Sequence, residues 1–421
     1  MQVGIDFSHE AIKIAYCQNG EWQYHLIPQL QSNPRDKDGE EERLVTHLAD
    51  WYSQSITGPL EAAVVSCPHY WDMTRRQQIF RAVQKAFNCP VCYQVPGPMA
   101  ALWGSDSTSS VSGDVLIIYL ENNWASFGLL TVSSMAKEIC LESQLPARYD
   151  KTQPHTLENF IDNTLKTHAA QLGFYEAGQW ILDAVILLGS PPVLDQAIPV
   201  VQSHFADTKL VIPEKAEFHL ARGLAIGGQM KNLPRLRFIY PFEFLLESLD
   251  SNKANHHQLV SLPFDTGNLP LDLNSRSLLT MLTADSNYNL ASEHNTVHYR
   301  LLERRFSVYN CENDAGTEPQ LIWEFKASRS HTPDPLGVYF NTQTFIIESD
   351  LVGQHSKDKP ELPDISHDYR QTGQRLLKIP FLEPRLKDDL QTLMDKPGDY
   401  SLEEQLELTR LRLLALLQLL Q

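Results

Sequence analysis

Short apolar runs, each bounded by polar or turn-forming residues, dominate the first 100 positions of the chain. Val3–Ile5, Ala11–Tyr16 and Ala62–Cys67 have the apolar, β-favouring content of strands. Glu42–Gln54 and the segment that follows Asp72 place apolar residues at helical spacing on one face. Asp72 is also a suitable N-cap residue for the second of these helices. The pattern therefore predicts strands that alternate with amphipathic helices.

The same alternation continues to about residue 230. The predicted elements are a pair of strands at 115–120 and 126–132, a helix at 157–172, a buried strand at 184–188 and a closing helix at 214–226. Pro191 and Pro192 suit the first turn of a further helix, because a backbone N–H at that position would have no partner within the helix. We assign residues 1–230 to one domain.

From about Leu233 the pattern changes to short alternating strands. They are predicted at Val297–Leu302, Phe306–Tyr309, Leu321–Phe325 and Thr344–Ser349. Residues 233–350 are therefore predicted to form a β-rich domain, a candidate for binding a substrate or a partner. Residues 351–383 are polar and punctuated by proline, which predicts an extended linker.

Residues 384–421 have the pattern of a helical hairpin. Lys396–Asp399 is the predicted turn, and Ser401 with Glu404 forms a capping box for the last helix. Leucines on several faces of that helix need cover, either from this chain or from a partner or second copy. The residues assigned to a partner or oligomer interface are Leu413, Leu416, Leu417 and Leu420.

Composition narrows the range of partners. The 421 residues include six cysteines and carry a formal net charge of −17. An acidic surface repels a phosphate backbone, so no nucleic acid is expected as a partner. The sequence has no apolar segment long enough to cross a bilayer, and its cysteine usage suits a reducing compartment. These features predict a cytoplasmic protein without membrane contact.

Four segments, taken in order, resemble one family. Cys67–Gln77 is similar to a strand, a "VPAYF" turn and a "QRQ" helix, and Pro98–Gly104 is similar to a shortened "EPTAAALAYG" helix. Ala184–Ser190 is similar to the adenosine motif "VVLVGGS", and Pro213–Ala225 to the closing helix "NPDEAVAYGAA". Together they resemble the nucleotide-binding half of the heat-shock-70 chaperones. The resemblance implies an α/β, actin-like N-terminal domain with two lobes, each a sheet with helices, around a central nucleotide cleft.

The phosphate-handling residues of that family are replaced in this sequence. In the family, two glycine-rich hairpins let backbone N–H groups approach the phosphates. The first, "DLGTT", is here Asp6-Phe7-Ser8-His9-Glu10, and the second, "DLGGGTFD", is Tyr119-Leu120-Glu121-Asn122-Asn123-Trp124-Ala125-Ser126. Gly97 stands where the family has a glutamate used in hydrolysis, whereas Gly189 and Ser190 retain the adenosine side.

We therefore predict a relic nucleotide cleft (the relic cleft) without catalytic residues. It consists of Asp6, Ser8, His9, Glu10, Gly97, Tyr119, Glu121, Asn122, Asn123, Trp124, Gly189 and Ser190. Glu10 and Glu121 are expected to be uncompensated carboxylates that repel a polyphosphate. No metal, cofactor or ATP hydrolysis is expected, although weak ATP or ADP binding stays open. Trp124 is expected either to fill the cleft or to anchor another protein.

The resemblance implies a heat-shock-70-like pseudo-ATPase that binds protein partners as a chaperone-like or scaffold component of a larger assembly. Two alternatives stay open. In the first, Asp6, Glu10 and Glu121 rebuild a magnesium site, and the protein is a divergent magnesium-dependent ATPase chaperone. In the second, it is an actin-like structural subunit that forms filaments.

Cys89-Pro90-Val91-Cys92 has the C-x-x-C spacing of zinc and redox sites. A structural zinc site of this type needs a second pair of ligands, and the sequence has no second C-x-x-C pair. Two ordinary cysteines of an extended segment are therefore the favoured interpretation.

Overall fold

The computed structural model describes the chain in segments. They are residues 1–8, 10–28, 40–56, 58–89, 91–104, 109–150, 152–153, 155–230, 234–249, 257–261, 271–272, 276–282, 296–305, 319–328, 336–342, 346–351 and 384–395. The chain separates into two units, Met1–Leu351 and Val352–Gln421. Strands and helices occur in mixed sheets, so the fold is of the mixed α/β class.

The first 230 residues alternate strands and helices, as the sequence predicts. The strands are β1 (Gln2–Phe7), β2 (Ala11–Gln18), β3 (Glu21–Pro28), β4 (Ala62–Ser66), β5 (Val91–Gln94), β6 (Gly113–Leu120), β7 (Trp124–Ser133), β8 (Glu138–Arg148), β9 (Tyr175–Glu176), β10 (Gln179–Trp180), β11 (Ala184–Gly189) and β12 (Lys209–Val211). The α-helices are α1 (Glu40–Ser55), α2 (Met73–Phe87), α3 (Gly97–Ala100), α4 (His155–Phe160), α5 (Lys166–Leu172), α6 (Pro191–His204) and α7 (His219–Gly227).

Helix ends follow the predicted signals in two places. The Asp72 side chain caps α2 by accepting a hydrogen bond from the backbone N–H of Arg75 at 2.8 Å. Helix α6 begins with Pro191 and Pro192, as predicted. The predicted helix at 157–172 is less regular, because the π-helical turn Ile161–Leu165 separates α4 from α5.

Two sheets of this region share one strand order. The first runs β3-β2-β1-β4-β5, and within the second the stretch β8-β7-β6-β11-β12 has the same order. In each, three antiparallel strands are followed by two strands parallel to the first of the three. The β-strands of the first 212 residues thus contain a topological repeat.

Short helices connect the two sheets reciprocally. Helix α7, which follows the second sheet in sequence, packs on β1, β2 and β4 of the first sheet, whereas α3, which follows the first sheet, packs on β7 and β8 of the second. Glycines allow the close approach. A Cβ atom at Gly4 would lie 2.0 Å from the carbonyl oxygen of Ala221, and one at Gly223 would lie 1.9 Å from that of Ala100. The sheets are therefore held together by backbone-to-backbone packing that excludes larger side chains.

A methyl group at position 223 is expected to force α3 and α7 apart. Gly223→Ala should lower the free energy of unfolding by about 2–3 kcal/mol, because the obstructing atom belongs to the backbone and cannot rotate away. Urea unfolding followed by circular dichroism measures this change. Gly97→Ala is the control, since its Cβ atom would lie 3.4 Å from Leu220, an ordinary contact distance, and should change stability by less than about 1 kcal/mol. Equal effects of the two substitutions would contradict the packing argument.

The rest of the first unit is built of strands. They are β13 (Arg235–Phe238), β14 (Phe242–Leu249), β15 (His257–Ser261), β16 (Leu271–Asp272), β17 (Arg276–Leu282), β18 (Thr296–Arg305), β19 (Gln320–Ser328), β20 (Leu336–Asn341) and β21 (Ile346–Leu351). Strands β13 and β16 extend the second sheet beyond β8, and the others form the sheets β15-β14-β18-β19 and β17-β20-β21. The rings of Tyr240, Phe244 and Phe340 pack together in the core of this part.

In the second unit, the first helix of the predicted hairpin is present as α8 (Pro384–Met394). The remainder of the predicted linker, residues 352–383, and the interface leucines Leu413, Leu416, Leu417 and Leu420 lie outside the described residues, as do Phe306–Tyr309. Among the described residues, no helix combines the length and apolar character needed to span a membrane.

Candidate functional site

A small cavity with about 20 Å³ of free volume, open to solvent, lies where the loops after β1 and β6 meet. Half of the predicted relic cleft lines it, namely Asp6, Ser8, Gly97, Tyr119, Glu121 and Trp124. The structure thus brings together both hairpins and the start of α3, whose cavity-lining residues are separated by up to 118 positions of sequence.

Asp6 occupies the floor of this cavity because of its register in the first sheet. It lies opposite Lys13 on β2 and beside Ser66 on β4. Ser66 donates a hydrogen bond to Asp6 Oδ1 at 2.5 Å, and the hydroxyl of Tyr119, from the second sheet, donates to Asp6 Oδ2 at 3.1 Å. Asp6 is 3% exposed, so its carboxyl group is held by protein groups from three strands.

Lys13 does not line the cavity, but it is the cation that pairs with the acids of its lining, and it was not among the predicted site residues. Its ammonium group donates to the hydroxyl of Tyr119 and lies 3.4 Å from Glu121 Oε1. Lys13 is 5% exposed and Glu121 is 7% exposed. A lysine flanked by Ile12 and Ile14 in an otherwise apolar strand is the signal that could have identified it, because a buried lysine needs an anionic partner. The expectation that Glu121 is uncompensated was therefore wrong.

Burial is the largest influence on the pKa values of these groups. It raises the pKa of the Asp6 carboxyl, and Lys13, Ser66 and Tyr119 oppose that shift. Burial also raises the pKa of Glu121, with Lys13 again opposing. The pKa of Tyr119 is raised well above its ordinary value by burial and by the charges of Asp6 and Glu121, so this phenol keeps its proton and donates it. Two carboxyl groups and one ammonium leave an excess negative charge when both acids are ionised.

The Glu10 carboxylate accepts hydrogen bonds from the donor groups of the second hairpin. Its Oε2 accepts hydrogen bonds from the backbone and side-chain nitrogens of Asn122 at 3.0 and 2.7 Å, and its Oε1 accepts from those of Asn123 at 2.8 and 3.1 Å. A bidentate carboxylate held by two consecutive backbone N–H groups is the arrangement in which such a turn binds an anion. Glu10 is therefore compensated as well, contrary to the expectation from the sequence.

The remaining predicted residues lie around this centre. Gly189 pairs with Leu120 at the end of β6, and a Cβ atom there would lie 2.7 Å from the Leu120 carbonyl oxygen. Ser190 precedes α6 as its N-cap residue. Neither Gly189 nor Ser190 lines the cavity, and His9 lies outside the described residues.

Eight residues outside the predicted relic cleft also line the cavity. They are Phe7, Cys67, Pro68, Tyr70, Ala125, Ser126, Gln144 and Leu220. Gln144 donates to Ser126 Oγ at 2.6 Å and accepts from the backbone N–H of His69 at 2.9 Å, so it ties the second sheet to the turn before α2. Cys67–Tyr70 belong to a segment that carries the family resemblance, and this membership could have assigned them to the cleft.

The acidic groups of the relic cleft are stabilised by other groups of the same protein. Among the described residues of the relic cleft, the acidic groups are held by Lys13, by hydroxyl groups or by the hairpin amides. A phosphate group that entered at the second hairpin would have to displace Glu10, and it would approach the negative group of Asp6 and Glu121. The charges at this site therefore disfavour a polyphosphate.

The C-x-x-C segment is described only in part, because Pro90 and the side chain of Cys92 lie outside the described residues. Cys89 is half-buried and follows α2, and the backbone of Cys92 lies in β5. Comparison of the whole sequence with protein-family models gives no match. Comparison with curated proteins gives none either.

Proposed function

We propose that this protein is a heat-shock-70-like pseudo-ATPase of the actin-like fold, which acts by binding other proteins as a chaperone-like or scaffold component and does not hydrolyse ATP. The repeat in strand order supports the two-lobed part of the proposal. Two sheets that share one strand order, with a cavity where the loops after their first strands meet, agree with the two similar lobes around a cleft that the family resemblance implies.

The observation that carries the loss of ATPase activity is the position of the Glu10 carboxylate. In a nucleotide-binding cleft the backbone N–H groups of the hairpin bind phosphate oxygens, which have the same charge and similar hydrogen-bonding geometry as a carboxylate. Here those groups already bind Glu10 at 2.8 and 3.0 Å. Because Glu10 is part of the chain, it competes with any free phosphate at a high effective concentration.

The buried network below the hairpin supports the same conclusion. Hydrolysis requires carboxylates that are free to hold magnesium and to orient water. Asp6 instead accepts hydrogen bonds from Ser66 and Tyr119, and Glu121 pairs with Lys13. Gly97 provides no side chain at the position where the family has a glutamate. Function then belongs to surfaces, among which the β-rich part of residues 233–350 is the first candidate for partner binding.

Calorimetric titration with ATP and with ADP, each with and without magnesium, tests the proposal. We expect no magnesium-dependent binding up to millimolar nucleotide and no release of inorganic phosphate above the blank. Asp6→Asn serves as the matched variant, because it preserves the shape of the network. Magnesium-dependent hydrolysis by the wild type that is lost in Asp6→Asn would contradict the proposal and establish the divergent ATPase.

The protein-binding half of the proposal needs a separate measurement. We expect the protein to reduce the aggregation of a thermally unfolded reporter protein, measured by light scattering, to the same extent with and without ATP.

Sedimentation of the protein itself at rising concentration tests the remaining alternative, an actin-like structural subunit. Filaments that form above a critical concentration would favour an actin-like structural subunit instead.

A further inference from the structure

Three potential metal ligands meet on the helices beside the second sheet. Glu158 lies on α4, Asp162 lies four residues later on the π-helical turn, and His204 lies at the end of α6. One ligand atom from each of the three residues lies within 4.8 Å of the other two. The cluster does not overlap the relic cleft.

The orientation of His204 indicates what this cluster binds. Its Nδ1 lies 3.0 Å from the carbonyl oxygen of Val200 and 3.3 Å from Ser203 Oγ. A carbonyl oxygen only accepts hydrogen bonds, so Nδ1 carries the proton and neutral imidazole has its lone pair on Nε2. That Nε2 faces Asp162 Oδ1 at 3.3 Å, while the side chain is 10% exposed. Two lone pairs at this distance require a cation that both can bind.

The cation is either a second proton on His204 or a metal ion. Two ligands of a tetrahedral zinc ion, each about 2.0–2.1 Å from the metal, are separated by about 3.3 Å, which is the separation found here. A carbonyl that fixes the tautomer of the histidine is the usual outer partner of a metal-bound imidazole. Glu158, 4.8 Å or less from both, supplies a third ligand after a small rotation of an exposed side chain.

Lys166 is the competing cation. Its ammonium group lies 2.6 Å from Asp162 Oδ1, the same oxygen that faces His204. The side chain is 28% exposed, so it can withdraw into solvent or move to the other carboxylate oxygen. Removing its charge should therefore favour a metal ion over the present ion pair.

We propose that Glu158, Asp162 and His204 form a zinc-binding site that clamps α4 and the π-helical turn to the end of α6. One imidazole and two carboxylates suit zinc, whereas magnesium and calcium prefer oxygen ligands throughout. With three protein ligands, the fourth position is left to water. The site is independent of the proposed pseudo-ATPase function.

Titration of the full-length protein with zinc chloride by calorimetry, and with cobalt(II) by visible absorption, tests the site. We expect one zinc ion per chain, a tetrahedral cobalt spectrum, and no competition by millimolar magnesium. His204→Ala should weaken zinc binding by about 100-fold and Glu158→Gln by about 10-fold, whereas Lys166→Gln should tighten it by about 10-fold. His47→Ala, on α1, controls for the other histidines and should leave binding unchanged.

The proposal is overturned if neither the wild type nor Lys166→Gln binds zinc when zinc is present at about 100 times the protein concentration. It is also overturned if His204→Ala binds zinc as tightly as the wild type. In both cases the cluster is an ion pair between Asp162, Lys166 and protonated His204. His204→Gln, which keeps a polar side chain at the end of α6, replaces His204→Ala if the alanine variant does not fold.

Discussion

Lys13→Met is expected to lower the free energy of unfolding by about 3–5 kcal/mol, because it leaves Asp6 and Glu121 buried without their cation. Methionine fills most of the space of the lysine stem, so the loss is mainly electrostatic. A protonated carboxyl group no longer needs the cation. The destabilisation should therefore shrink as the pH falls and Asp6 and Glu121 take up protons. Urea unfolding at several pH values measures both the size and the pH dependence of the effect.

Lys85→Met is the matched control for this prediction. Lys85 also pairs with a glutamate, Glu41, but its side chain is 61% exposed. An exposed pair of this kind contributes less than about 1 kcal/mol. A Lys13→Met effect that is as small as the Lys85→Met effect would show that the Lys13 network is solvated. An effect that is large but independent of pH would indicate a packing defect instead.

The order of elements in the first 230 residues could be predicted from local pattern. Apolar periodicity located β1, β2, β4, β6, β7 and β11 and the longer helices, but it did not locate β3, β8 or β12. Local chemistry located two helix starts, the Asp72 cap and the Pro191–Pro192 turn. Sheet order could not be predicted in this way, because strand pairing depends on contacts between distant residues. The extension of the second sheet by β13 next to β8 joins positions about 100 residues apart. The π-helical turn has no local signal that distinguishes it from the helices around it.

The relic cleft could be predicted only in part, because some of its contacts also join residues that are distant in sequence. The motif order located both hairpins, and six of the twelve predicted residues line one cavity. The compensating groups were missed, since Lys13 and Ser66 are recognised through their register with Asp6 and not through any motif. Single charged residues in apolar strands therefore carry information that motif comparison does not use. In this chain they reverse the expectation that the cleft acids are uncompensated.

A third buried acid, Glu303 on β18, joins the β-rich part of the first unit to the start of α2. It accepts a hydrogen bond from the backbone N–H of Met73 at 2.8 Å and another from the hydroxyl of Tyr240. Beside it, His69 contacts the Ile239 carbonyl oxygen through Nε2 at 2.6 Å. Pro68 and Tyr70, on either side of His69, line the cavity. The turn before α2 therefore lies between the cavity, which it lines, and the β-rich part, to which His69 and Met73 are hydrogen-bonded.

Burial raises the pKa of Glu303 to about 7; the nearby Asp72 charge adds to this, whereas the hydrogen bonds and Arg76 oppose it. The ordinary value is 4.5, so between pH 4.5 and 7 the folded protein holds a proton that the unfolded chain has lost. Its contribution to stability is therefore complete below pH 4.5 and declines as the pH rises to 7. At about 1.4 kcal/mol per pH unit, the decline amounts to about 3 kcal/mol.

Glu303→Gln is expected to remove this decline, because glutamine is neutral at every pH and can still accept the hydrogen bond of Met73. The quantity to measure is the difference in unfolding free energy between the variant and the wild type, which should rise by about 3 kcal/mol in favour of the variant from pH 4.5 to 7.5. The difference is needed because burial lowers the pKa of His219 to about 4, and that group contributes a pH dependence of opposite sign in both proteins.

Glu348→Gln, at a half-exposed ion pair with Arg276 in the same β-rich part, is the control and should change stability by less than about 1 kcal/mol. A difference between Glu303→Gln and the wild type that stays constant from pH 4.5 to 7.5 would show that Glu303 is solvated, and that the β-rich part does not enclose the start of α2. If the difference rises as expected, ionisation of Glu303 also weakens the junction that holds Pro68 and Tyr70. The shape of the cavity would then depend on a proton bound at its far side, in the pH range near neutrality.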